Sequence, residues 1–581
     1  MSRIVTSNGP LKAKIFIVGD MPRMHEEIEG SSFAAGNRRL LNTLLMKTGL
    51  VVEECRLGNV MQSRVKGDNP DNLYLDRQLR LPSQDLVDGI ARIRNEIMDC
   101  NPNIVLALGN EPLHAFTGNR GISNWRGSVV FCKSIGCKMI ATFHPANLLK
   151  AWDNVPLVMF DFKRLREESK SPDYELKQRE FLLGPSFEQV IAYINSTKYT
   201  FSFDVETDMD NHITAFAIAR SPWDVISIPF TVGDGIPYWT EEEEVAIWKA
   251  LKVLLEDESI GKIAQNAQFD IIITGINPYH AKVRGLKMDT MCGFHTIYPE
   301  LASSEKMKWD KEAKSRISTG GGKTLAIISS IYTREPYYKH WGHSGNDMQF
   351  WKYNAMDAAV TYEAAEGIQR ELKEFGVYDF YHKFVHPLLP ILMKTQVRGV
   401  RVDQEMRLKT LEKYGKECVE LQGKLDKVIG RTVNVYSSKQ LQQLLYEDMN
   451  LPTKYKRSTG KVTTDERALD ELSHKYPSPI FDLILGIRHD RKIISTYLQD
   501  KGGDDGRIRC SYVIGGTETG RLSSRESVFG TGTNLQNVPP GDCRRMFIPD
   551  EGKVFVHPDL SQAEARVVAY LANEEGLIDL F

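Results

Sequence analysis

Asp204 and Glu206 stand two residues apart in the apolar run TFSFDVE, residues 200–206. In a strand, alternate side chains share a face, so the two carboxylates project together. Ionised carboxylates beside Phe201, Phe203 and Val205 are costly unless a cation lies between them. Magnesium or manganese, hard and oxygen-seeking, is the matching ion. A third carboxylate, Asp270, closes the run KIAQNAQFD, and Tyr353 and Asp357 lie four apart in a helical pattern, hence on one helix face. Each piece alone is ordinary, since an Asp-x-Glu pair is more often a solvated strand edge and a Tyr-x-x-x-Asp pair mostly surface decoration. Their succession is what makes a hydrolytic metal site the reading.

This order of motifs resembles the Tyr-containing branch of the DEDD exonuclease superfamily, over roughly residues 185–375. The resemblance implies an RNase H-like domain that removes nucleotides from 3′ DNA ends. Asp204, Glu206, Asp270 and Asp357 would hold two Mg2+ (or Mn2+) ions and Tyr353 would orient the attacking water. Such a cation pair activates water and stabilises the leaving oxygen. Asp289, in Met288-Asp289-Thr290, is expected to be structural.

A chain of 581 residues exceeds the ~250–300 at which one core stops growing, so three or four domains are expected. Lys plus Arg (74) nearly balances Asp plus Glu (76), and a net charge of -2 advertises no partner. A DNA-binding face must therefore come from local segregation of charge. The N-terminus lacks a signal-peptide core, and no apolar run approaches the ~18 residues of a membrane span. Eight cysteines include no CxxC pair, which disfavours both a disulfide framework and a zinc site, including one from Cys132, Cys137 and His144. A reducing cytoplasm follows. The stretch Thr319–Thr324, TGGGKT, imitates a phosphate loop, but Ile317 stands where the first Gly is required and a charged run precedes it.

Strands are expected at 14–18, 103–109, 200–206 and 214–219, and helices at 241–257, 404–430 and 464–474. The charged stretch 163–181 marks a boundary. From about 375 the pattern turns helical, and 504–581 returns to short strands.

Downstream segments resemble family A DNA polymerases of the bacterial polymerase I type. VRGVRVD (397–403) resembles the entry into the thumb, with Lys454, Lys456, Arg457 and Lys461 in a basic loop suited to phosphate contact. Thr496-Tyr497 resembles the thumb's end, TGRLSS (519–524) and NLQNVP (534–539) the minor-groove grip, and Arg544-Arg545 the approach to the palm. DLSQAEAR (559–566) resembles the first catalytic motif, with Leu560 and Ala563 departing from the usual Tyr and Ile. The resemblance makes Asp559 a catalytic metal ligand at the end of the strand KVFVHPD. It makes Arg521 and Gln536 minor-groove readers, Glu564 the group that favours deoxyribose, and Arg566 a nucleotide contact. The sequence ends at Phe581, before the family's fingers helix and second catalytic Asp. The expectation is a split polymerase that a C-terminal polymerase fragment completes, binding dNTP only when completed. A stand-alone exonuclease, a DNA-binding scaffold and an artificially shortened chain are the alternatives.

Residues 1–165 resemble uracil-DNA glycosylases of the iron–sulfur type: GDMP (19–22), GSSF (30–33), LGNV (57–60) and HPAN (144–147) follow that family's motifs. The resemblance implies a flipped-base pocket in which Phe33 stacks, Asn59 reads the base edge, His144 stabilises carbonyl charge and Asp20 stands for the family's Glu. Arg23 replaces a Gly, and the cluster cysteines are missing, so no iron–sulfur cluster is expected and a non-catalytic role is preferred. The fold class is thus multidomain α/β and α+β: a glycosylase-like α/β sandwich (1–165), an RNase H-like exonuclease domain (185–375), palm entry with a helical thumb (376–503) and an incomplete palm (504–581). This arrangement resembles certain bacteriophage family A polymerases, acting on primer–template and single-stranded 3′ ends.

Overall fold

The computed structural model describes residues 3–581 except 77, 79, 150, 277, 302–306, 311–314, 319–321, 344, 457–459 and 501. Arg457 and the glycines of the phosphate-loop imitation at 320 and 321 lie outside the described residues. The chain forms two compact units, Met1–Met393 with Val513–Ser523, and Lys394–Tyr512 with Ser524–Phe581.

The first unit is built on two large sheets, one of five strands and one of six. Strands β1 (Ile15–Gly19), β2 (Arg56–Asn59), β3 (Ile104–Leu108), β4 (Val129–Cys132) and β5 (Cys137–Thr142) pair in the order β2-β1-β3-β5-β4, parallel except for β4. β1 and β3 are buried along their whole length, which is why they read as unbroken apolar runs. Helices α1 (Ala35–Lys47) and α3 (Val155–Glu168) cover one face through Leu41, Leu44, Val158 and Phe162. Between them in sequence, α2 (Gln84–Cys100) covers the other through Leu86, Ile93 and Ile97.

The second sheet comprises β6 (Phe181–Leu183), β7 (Phe201–Thr207), β8 (Ile213–Ser221), β9 (Asp224–Pro229), β10 (Lys262–Ala264) and β11 (Leu286–Asp289), ordered β11-β10-β7-β8-β9-β6. Phe201, Phe203 and Val205 of β7 enter a core with α4 (Glu241–Glu256), whose Ile247, Leu251, Leu254 and Leu255 face the sheet. Four glutamates in the first turn of α4 meet the positive end of its dipole, and Thr240 and Glu243 form a capping box. Three eight-residue helices follow, α5 (Gln268–Gly275), one at Thr290–Ile297 and α6 (Leu325–Tyr332), and then the 28-residue α7 (Asp347–Glu374). On the far face of the sheet Ala217 and Ala219 meet Ala355, Ala358 and Ala359 of α7. Small side chains on both partners let helix and sheet approach closely. The Ser202 hydroxyl accordingly reaches the Ala358 carbonyl at 2.6 Å.

Glycosylase-like sheet and second sheet are locked by buried polar contacts. Arg126, 1% exposed, grips Asp161 and donates to Ser330 Oγ at 2.8 Å. Arg164 donates to the carbonyls of Gly127, Ile331 and Thr333.

The second unit pairs β12 (Val400–Val402) with β13 (Arg507–Ile508) and β14 (Phe547–Ile548), all antiparallel. Helices α8 (Gln404–Ile429), α9 (Glu466–Lys475) and α10 (Pro479–Ile493) enclose a core of Leu425, Leu469, Leu472, Phe481, Ile484 and Ile487. The last helix of regular length is α11 (Ala563–Ala572). One expectation fails here. KVFVHPD, 553–559, forms no strand: it has no regular secondary structure and no strand partner, with Val554 80% and Val556 79% exposed. A strand needs a partner for its backbone groups, and among the described residues none lies beside it.

Candidate functional site

Alternation along β7 decides what faces where. While Phe201, Phe203 and Val205 point into the core, Ser202, Asp204 and Glu206 point toward α7. On α7, Asp357 faces back. Oxygen atoms of Asp204, Glu206 and Asp357 lie within 4.8 Å of one another, the one such acidic or metal-ligating cluster among the described residues. Asp270 stands outside this triad, in the first turn of α5, where its Oδ1 accepts the Val205 N–H at 3.0 Å. Three of the four expected carboxylates therefore converge within 4.8 Å, and Asp270, near enough for its charge to act on Glu206 and for that of Asp204 to act on it, also braces the strand that carries those two.

Asp289 carries no part of the cluster. It is fully buried, accepts N–H groups of Asn266, Ala267, Met291 and Cys292, and so fixes the turn before α5 and caps the helix Thr290–Ile297.

Neighbours that sequence reasoning missed complete the cluster. Asn354 donates to Asp204 Oδ2 at 2.9 Å while its own Oδ1 accepts from Ser227. It sits three residues before Asp357, so helical spacing alone could have drawn it in. Tyr338 donates to Asp357 Oδ1 at 2.6 Å, and the Lys339 ammonium pairs with Asp357 Oδ2 and lies 4.7 Å above the Tyr353 ring. Nothing in the sequence marks those two, because they approach from a loop.

Burial, with Asp357 next, pushes the Asp204 carboxyl up to about 7. Burial and then Asp204 push Glu206 well above the ordinary carboxylate range, and the same pair of causes raises Asp270. Tyr353 is held protonated by burial and by Asp357. Oxygen ligands crowded by like charge, with a single ammonium against them, form a donor set fitted to a divalent cation.

The glycosylase-like residues also assemble. Phe33 stacks with His144, ring centroids 6.1 Å apart. Burial lowers the His144 pKa, and its Nδ1 accepts the Ala146 N–H at 3.1 Å, which leaves the proton on Nε2, 4.0 Å from Asp20. Asp20, however, is held by the Arg23 guanidinium at 2.9 Å. Asn59 donates at 3.2 Å to Glu26, a buried carboxylate that also accepts the Phe33 and Arg23 N–H groups. Glu26, like Asn354, Tyr338 and Lys339, was not marked by the sequence.

Of the polymerase-type residues, Asp559, Glu564 and Arg566 are exposed, with Arg566 donating to the Ser561 carbonyl. Gln536 is exposed in a turn whose Asn534 caps it, and Tyr497 donates to the Asn537 carbonyl. Arg521 is exposed in the segment that belongs to the first unit. The Lys323 side chain of the phosphate-loop imitation turns inward to the Gly515 carbonyl.

Fold and cluster define a multidomain α/β chain with a cluster of three carboxylates. Residues 404–581 match the family model described as DNA polymerase family A, and 6–169 the uracil DNA glycosylase superfamily. The chain is similar to DNA polymerase I of Caldicellulosiruptor bescii, 33% identical over 210 residues, 35% of this chain and 24% of the relative. It is also similar to DNA polymerase I of Chloroflexus aurantiacus, 28% identical over 406 residues, 66% of this chain and 40% of that one. Among solved structures, the polymerase domain of Pol1 from M. smegmatis, in complex with DNA primer-template and dNTP, shares the fold with a TM-score of 0.51 at 23% identity, over 69% of this chain and 64% of that one. The chain thus has one segment that matches the DNA polymerase family A model and another that matches the uracil DNA glycosylase superfamily model, and spans about a quarter and two fifths of these two curated relatives. No described helix is long and apolar enough to cross a membrane.

Proposed function

We propose that the chain is a metal-dependent 3′→5′ exodeoxyribonuclease that edits for a family A DNA polymerase. The convergence of Asp204, Glu206 and Asp357 within 4.8 Å carries this reading. These three side chains would hold Mg2+ or Mn2+, which supplies an activated water and neutralises charge on the departing 3′-oxygen. Tyr353 orients the water through its protonated hydroxyl. Asn354 fixes the Asp204 rotamer, and Tyr338 does the same for Asp357. Lys339, paired with Asp357, is placed to pass to the substrate phosphate. A 5′-labelled single-stranded oligonucleotide should be shortened stepwise in Mg2+ and remain intact in EDTA; intact DNA in both would remove the assignment.

For synthesis the chain contributes the thumb, the grip segments and Asp559. Nucleotidyl transfer needs a second carboxylate beside Asp559, so polymerisation belongs to this chain together with further palm and fingers sequence, continuous or supplied by a separate chain. The exposed apolar side chains of 554–571 support a docking role for that region. Primer extension in a mixture with such sequence reads this directly.

The glycosylase-like domain acts as a non-catalytic brace. Arg23 neutralises Asp20, and Glu26 occupies the Asn59 and Phe33 donors that a base edge would use. The expected result is no uracil release from a single-stranded uracil oligonucleotide above a no-protein control. Release that disappears in His144→Ala would reverse this conclusion.

A further inference from the structure

The glycosylase-like domain also has a face toward the carboxylate cluster. A cleft of about 670 Å³ opens between β4 with its flanking turns and the loop before α7, residues 335–341. Phe116, Trp125 and Phe131 line one wall; Tyr337, His340 and Trp341 line the other. Phe131 is 47% exposed and His340 is exposed, so those two rings do not fill a core, whereas Phe116 belongs to one and Trp125 and Trp341 pack against one.

The rings form a continuous series. Trp125 meets Tyr337 at 5.6 Å, Tyr337 meets His340 at 5.9 Å, and His340 meets Trp341 at 6.0 Å. Trp341 meets Tyr338 at 5.7 Å, and Tyr338 donates its hydroxyl to Asp357. The series begins in the glycosylase-like domain and ends on a ligand of the cluster. Cations accompany it: Lys133 lines the cleft, and the Lys352 ammonium lies 4.8 Å over the Trp341 ring. Glu335, the acidic residue of the lining, is neutralised by Arg179. The walls are held in register, since Tyr337 N–H donates to Ser128 Oγ at 3.1 Å and Arg126, next to Trp125 in the chain, pairs with Asp161 and donates to Ser330 Oγ.

We propose that this cleft is a stacking track for single-stranded DNA, on which bases upstream of the 3′ end rest while that end lies at Asp204, Glu206 and Asp357. The proposal rests on the exonuclease reading. Aromatic faces accept any base, and flanking lysines follow the backbone, a combination suited to a strand of arbitrary sequence. Aromatic grooves also receive proline-rich peptides, but the lysines and the continuity with a phosphodiester-cleaving site favour a polyanion.

Binding of fluorescein-labelled (dT)12 to the full chain, measured by anisotropy in EDTA, tests the track without cleavage. Phe131→Ala and Trp125→Ala are each expected to raise Kd about tenfold, while Phe131→Tyr, which keeps a ring, restores binding. With Mg2+ the loss should appear in KM for (dT)12 rather than in kcat. Phe131 is the decisive variant because an exposed ring can be removed without unfolding the domain. Unchanged Kd in both alanine variants overturns the proposal, as does a proline-rich peptide that depends on Phe131 while (dT)12 does not. Binding lost in the variants alongside a parent that leaves DNA intact in Mg2+ would keep the track and remove the exonuclease. Degradation with unchanged variant Kd would do the reverse.

Discussion

Asp357→Asn is expected to lower the rate of 3′ DNA degradation at saturating Mg2+ by roughly 10³-fold or more, a loss of about 4 kcal/mol of transition-state stabilisation. The substitution preserves shape: an Asn side-chain oxygen still accepts the Tyr338 hydroxyl that now reaches Asp357 Oδ1 at 2.6 Å. What disappears is one of three carboxylates converging within 4.8 Å. Cation affinity falls because a hard ion is held chiefly by ionised oxygens. Lys339 loses its partner and is left as an ammonium at the rim of the site. The measurement is single-turnover degradation of a 5′-labelled strand, with far-ultraviolet circular dichroism to establish folding. Activity within tenfold of the parent, in a folded variant, would mean that Asp357 holds no cation. The same substitution at Asp289 separates chemistry from architecture: that carboxylate accepts four backbone N–H groups and lies outside the cluster, so its loss should register first as instability.

How much of this could be read from residues alone follows from the range of each interaction. The period-2 alternation of 201–206 placed Asp204 and Glu206 on one face because that geometry is local to the strand. The four-residue spacing of Tyr353 and Asp357 did the same for the helix. Which long-range partner meets those faces was less legible. Tyr338 and Lys339 arrive from a loop and carry no periodic signal, and Asp270, in the right order along the chain, spends an oxygen on the Val205 N–H. The apolar run 553–559 was read as a strand because its composition suits a buried strand, but strandedness depends on neighbours, and the residues stay exposed. The core strands at 15–19 and 104–108 could be read because burial on both faces leaves a continuous apolar signature. Glu26 and Arg126 lay beyond reach for a different reason: a buried charge is recognisable only once its partner is known.

Arg126 supplies the second large effect. Asp161→Ala is expected to destabilise the first compact unit by about 3–5 kcal/mol, because it strands a guanidinium that is 1% exposed without its counter-charge. Asp161 accepts from Arg126 Nε at 2.9 Å and from the Thr142 hydroxyl at 2.5 Å, so its removal also leaves Thr142 without that acceptor. A simple sum of lost hydrogen bonds predicts that deleting both partners is worse than deleting one. Desolvation predicts the opposite: two charges taken from water gain back little more than they cost, and Arg126→Met with Asp161→Leu should unfold at higher denaturant than Asp161→Ala alone. Ser330, which accepts from Arg126 Nη1, belongs to α6, so the single variant should also loosen the wall that carries Trp125. Urea unfolding followed by tryptophan fluorescence, with limited proteolysis to assign the transition to this unit, distinguishes the two accounts. If the double variant is no more stable than Asp161→Ala, the buried charge is not what the pair is needed for, and direct contact between the two domains takes its place as the stabilising term.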